Sequence, residues 1–135
     1  MQKRTQLRIL LAISGLIAAG IGALILMTPV QFHAGYGTDL GANASLLSEV
    51  RAPGGALFAL GLFMLLGVVR RRLLETSTAV AATVYLAYGL SRLLSFGLDG
   101  RPDSGLLVAT AFELVLGTAC AWMLLRMPLA ERVAR

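Results

Sequence analysis

The chain has 135 residues, of which 57% are hydrophobic and only 14% charged, against about 25% charged in an ordinary soluble domain. Its 12 Lys and Arg against 7 Asp and Glu give a net charge of +5. The basic residues punctuate the ends of long apolar runs instead of gathering on one element, which speaks for membrane topology and against a nucleic-acid partner. A single cysteine, Cys120, lies within an apolar run as a small buried residue, excluding an intramolecular disulfide, a CxxC pair and a Cys-rich metal site.

The first apolar run, Ile9 to Met27, is 19 residues long. A signal-peptide core spans only about 7–15 residues, so the run predicts an uncleaved transmembrane helix over 9–27. Thr28-Pro29 stops the helical pattern, and Val30 to Ala42, rich in glycine and polar residues, reads as a loop. A helical lead-in over 43–52, capped by Asn43 or Ser45, opens the second span at 53–69. Pro53-Gly54-Gly55 predicts a kink or break at that junction. The cluster Arg70-Arg71-Arg72 closes the span as a topology anchor, with anionic lipid as a secondary partner. The third span covers 77–97. A turn bearing Asp99 and Arg101 leads to the fourth span, 104–125, and the tail from Arg126 to Arg135 is polar and basic.

Counting Lys and Arg in the short connections gives nine on the side of the termini (Lys3, Arg4, Arg8, Arg70, Arg71, Arg72, Arg126, Arg132, Arg135) and two on the other (Arg51, Arg101). The positive-inside rule then places both termini in the cytoplasm. The expected fold is all-α: one membrane domain over 1–135, an integral four-helix up-down bundle, N-in and C-in.

Two charges lie inside apolar runs, Arg92 and Glu113. A charge at mid-bilayer costs roughly 2.5–3.5 kcal/mol on insertion scales, so such residues pair within the bundle or have a use. The row Gly105, Ala109, Glu113, Gly117, Ala121 is small except for the carboxylate, which puts Glu113 on a packing face. Tyr85, Tyr88, Arg92, Ser95 and Asp99 form one polar stripe on the third span. By helical rise, Arg92 lies roughly 8 Å and Glu113 roughly 13 Å from the outer ends of their spans, close enough for contact. Glu49 and Arg51 open the second span and point about 200° apart, so one or the other joins this group. The candidate polar cluster or ligand site is therefore Glu49, Arg51, Tyr88, Arg92 and Glu113, with Asp99 and Arg101 at the outer turn.

Such a cluster fixes helix register, holds a small molecule, a lipid headgroup or a quinone-like molecule, or forms part of a proton or ion path. His33 stands alone in an outer loop without metal-ligand spacing, and there is no Ser–His–Asp set, phosphate loop or dinucleotide fingerprint, so neither metal nor cofactor is expected. The chemistry-poor sequence reads as a structural or accessory membrane component. The alternative is an intramembrane binding site or enzyme. The small-residue face Gly15, Ala19, Ala23 is a candidate contact for a membrane-protein partner or a second copy.

The run Ser48-Glu49-Val50-Arg51-Ala52-Pro53-Gly54-Gly55 with its following Gly-Leu-Phe span resembles a hallmark of a family of small bacterial membrane proteins, domain of unknown function 4345. Arg92-Leu93-Leu94-Ser95, Asp99-Gly100-Arg101-Pro102 and the later Glu113 are similar to its second half. The resemblance covers almost the whole chain. It implies a four-helix integral membrane protein with no established activity and supplies no reaction; the expected location is the bacterial inner membrane. A looser similarity in size and topology links the chain to DoxX-like proteins, some of which are quinone-linked.

Overall fold

The apolar runs become four long helices joined by short, sharply capped connections. The computed structural model describes residues 2–126, so Arg132 and Arg135 of the charge count lie outside the described residues. Helix α1 spans Gln2–Met27, α2 Pro29–Ala34, α3 Ala44–Val69, α4 Leu74–Asp99 and α5 Ser104–Leu125, with a 3-10 turn at Arg71–Leu73 before α4. Four of them, α1, α3, the α4 unit and α5, are long and apolar enough to cross a membrane. At 26 residues, α1 and α3 each extend for about 39 Å, longer than the hydrocarbon core, so their ends reach the headgroup layers.

The helix boundaries follow local chemistry. Pro29 cannot extend α1, but at the first position of α2 its missing N–H is no loss, and the expected loop begins with this short helix. Gly37 and Gly41, with φ of +73° and +56°, then turn the chain. The Asn43 side-chain oxygen accepts from the amides of Ser45 and Leu46 at 3.0 and 3.2 Å, capping α3. Gly100, with φ of +97°, ends α4, and the Asp103 carboxylate accepts from the Gly105 amide at 2.7 Å to start α5.

Of the kink or break expected at Pro53, the break does not occur: α3 runs as one helix from Ala44 to Val69. A proline removes one backbone hydrogen bond, and here the flanking turns are pinned against α1. A Cβ on Gly54 would press on Ile25, one on Gly22 would strike the backbone of Phe58, and one on Gly61 would strike the backbone of Ala19. The row Gly15, Ala19 is thus spent within the chain: both residues are buried, against Gly61 and Leu65 of α3. These two residues of the expected face Gly15, Ala19, Ala23 are therefore not free for a partner.

α1 pairs with α3 and α4 with α5, giving two hairpins. They meet along α3–α4 and, more lightly, through α1, whereas α3 and α5 do not pack on each other. The core lies toward the Arg70–Arg72 end, where Leu7, Leu11, Met64, Leu74, Ala81 and Cys120 are buried. Polar groups there are satisfied locally. Ser77 donates to the Phe63 carbonyl at 3.1 Å and Thr78 to Leu74 at 2.6 Å. Ile13, Leu16, Leu62, Leu66, Leu94 and Val115 face outward, as lipid-facing side chains should. At the opposite end the hairpins diverge and enclose a cavity.

Candidate intramembrane site

The register of the α4–α5 hairpin sets the site. Leu86 fills the space left by Gly117, and Leu114 fills that left by Gly89. Because the helices are antiparallel, one further turn along the same seam brings Arg92 to Glu113. The Arg92 Nε–H donates to both carboxylate oxygens, at 3.2 and 3.0 Å. The side chains are 31% and 14% exposed, so the pair is largely removed from water yet borders open space. Among the described residues the Nη groups of Arg92 have no acceptor, so four of its five N–H donors are unspent.

That open space is a cavity of about 570 Å³ between the hairpins, within the range of small-molecule sites. Its floor is the top of the core: Ala18, Tyr85 and Leu116. The Tyr85 hydroxyl donates to the Ser14 carbonyl at 2.6 Å, tying α4 to α1 just beneath. The walls are apolar, with Ile17, Ile21 and Ile25 from α1, Pro53 and Leu57 from α3, and Leu106, Ala109 and Phe112 from α5. Polar groups lie among and above them: Tyr88, Arg92, Glu113 and Glu49. Phe112 and Glu49 are exposed as well as cavity-lining, so the space reaches the protein surface on the α5 side and at the start of α3.

Four of the five residues grouped from the sequence line this one space: Glu49, Tyr88, Arg92 and Glu113. Arg51 does not. Its Nε donates to the Leu26 carbonyl at 3.0 Å, and it borders a separate shallow hollow beside Ser48 and Gly55. The angular separation of residues two apart on a helix sends Glu49 inward and Arg51 around to α1's end. The outer-turn pair also stays outside. Asp99 accepts from the Ser95 hydroxyl at 2.8 Å, and Arg101 is exposed. The upper part of the expected polar stripe is therefore closed on itself, and the lower part, Tyr85, Tyr88 and Arg92, enters the cavity.

Phe32, His33, Tyr36 and Thr38, from the segment whose glycines and polar residues predict a loop, form a lid over one side. His33 Nδ1–H donates to the Pro29 carbonyl at 2.8 Å, one helical turn back. Phe32 meets His33 and Tyr36 edge-on, each with centroids 5.4 Å apart. The Phe32–Tyr36 spacing of four would have shown this had 29–34 been read as helix. Among the described residues no group of three or more His, Cys, Asp or Glu could hold a metal ion.

Neither a curated protein nor a solved structure matches the chain. A family model matches residues 6–124, covering nearly all of the four long helices and every residue of the cavity. By that match the chain belongs to the family described as Domain of unknown function (DUF4345).

Proposed function

We propose that this multi-pass membrane protein holds a hydrophobic small molecule between its two hairpins, with a polar head near Arg92, Glu113 and Glu49 and an apolar body against α1, α3 and α5. The observation that supports this reading is the cavity itself. A polar group serving only to lock helices would be closed over by packing, whereas here an ion pair with unspent donors faces about 570 Å³ of mostly apolar space. Because α3 and α5 do not pack together, the route from the bilayer passes between them, beside Phe112.

The proposed orientation has the cavity toward the outer face of a bacterial inner membrane and both termini in the cytoplasm. The basic cluster Arg70–Arg72 supports it. So does Trp122, an interfacial ring with Arg126 stacked 4.1 Å from its centroid at the same end of the bundle.

The test is to purify the protein in mild detergent and identify small molecules retained after extensive exchange. Ala109→Phe fills the cavity from a wall that has room for it. Wild type should retain a lipophilic species that Ala109→Phe lacks while eluting as wild type. The same retained species in both would overturn the reading.

The Arg92–Glu113 contact also favours a second reading, in which the pair sets the α4–α5 register and the protein is an accessory component. Restored stability in a doubly apolar variant that keeps the retained molecule would favour register over recognition.

A further inference from the structure

We propose that the cavity selects a lipophilic cation, an apolar body bearing one positive charge, held at the mouth by Glu49 and the neighbouring aromatic rings. This rests on the pocket reading above and adds the sign of the ligand. With His33 counted as neutral, the cavity lining contains one formal positive charge, Arg92, and two formal negatives, Glu113 and Glu49. Arg92 and Glu113 are in direct contact and largely cancel each other's field. Glu49 has no hydrogen-bond or ion-pair partner among the described residues, which leaves the lining with one uncompensated negative charge.

The surrounding groups do not neutralise it. Arg51, the nearest base in sequence, engages Leu26 on another face. Arg101 is exposed and outside the cavity, while Asp39, Asp99 and Asp103 add further acid at this end of the bundle. Low-dielectric walls focus such a field into the cleft. Phe32, Tyr36, Tyr88 and Phe112 also line the cavity, and the faces of aromatic rings attract cations. An anionic head could reach the unspent Nη donors of Arg92, but it would face two carboxylates against that one guanidinium. A neutral head would leave Glu49 partly desolvated without compensation.

Three probes of similar shape separate the possibilities: tetraphenylphosphonium, its anionic counterpart tetraphenylborate, and neutral triphenylphosphine oxide. Binding to the full chain in detergent is measured by equilibrium dialysis. Elution and the helical circular dichroism spectrum check the fold of each variant. The expected result is saturable binding of the cation over the other two, weakened about fivefold or more by Glu49→Gln. Asp99→Asn, which removes a charge of the same sign at the same end but outside the cavity, should bind as wild type. Tighter binding of the anion or the neutral probe, or cation binding unchanged in Glu49→Gln, overturns the proposed sign and leaves the pocket standing. Saturable binding of none of the three overturns the pocket reading and this inference with it.

Discussion

The Arg92–Glu113 pair shows what a charge inside an apolar helix requires. Each residue alone would be a costly orphan; together they offset each other's charge through one Nε–H shared between two carboxylate oxygens. Arg92→Met should therefore destabilise the bundle by about 2 kcal/mol, because it leaves Glu113 half-buried and unpaired. Glu113→Leu should cost a similar amount, and the double variant should recover most of it. Reversible unfolding in mixed micelles measures the cycle, and strictly additive losses would show that the pair is not coupled. Tyr85 is a different case. Its hydroxyl donates to a backbone carbonyl, Ser14, that already belongs to a helix, so Tyr85→Phe should cost only about 0.5–1.5 kcal/mol in the same assay. Arg51 was an equal candidate beside Glu49 by sequence position. Only the direction of α3 relative to α1 sends one to the cavity and the other to Leu26.

At the level of helices, contact in lipid depends on shape, because lipid tails are as apolar as leucine. The α1–α3 seam uses this directly, with backbone meeting backbone at Gly22 and Gly61. Gly61→Leu should separate the hairpin and lower stability by at least about 2 kcal/mol, or prevent accumulation of folded protein. Gly20→Leu, on the partner helix α1 but with nothing near its Cβ position, should behave as wild type. Thermal unfolding followed by circular dichroism distinguishes them, and equal losses would mean that the seam is misplaced. The unbroken α3 is the element where local rules misled. Pro53 and two glycines in sequence predict a kink or a break; there is no break, because Gly54 approaches α1 closely and Arg51 holds the Leu26 carbonyl on the other side of the proline. The short α2 was missed for the opposite reason. Its six residues carry no apolar period long enough to see, and only Pro29 at its start announces it.

For the molecule as a whole, orientation and the cavity are linked, since the open end of the bundle is the end poor in basic residues. Asp99→Cys should react with an impermeant thiol reagent added to intact cells, and Arg72→Cys only after permeabilisation, with buried Cys120 silent in both. The reverse pattern would invert the proposed topology. Much of this architecture was legible in the chain. Apolar run length set four helices, Asn43 and Ser45 announced a cap that the structure gives to Asn43, and the small row around Glu113 placed that carboxylate on a packing face. These features depend on neighbours within one helix or on the cost of leaving apolar groups in water, both of which a sequence states by itself. The cavity could not be read that way. It exists because two tight hairpins, each held by its own small-residue seam, meet closely at one end and diverge at the other. It brings together Glu49, Tyr88, Arg92, Glu113 and the Phe32–Tyr36 turn, residues from four separate segments. Length, hydropathy and spacing determined that the chain spans a membrane four times with two charges to accommodate. Which helices touch is decided by side-chain shape across the bundle, so only the tertiary structure decided that those charges border open space.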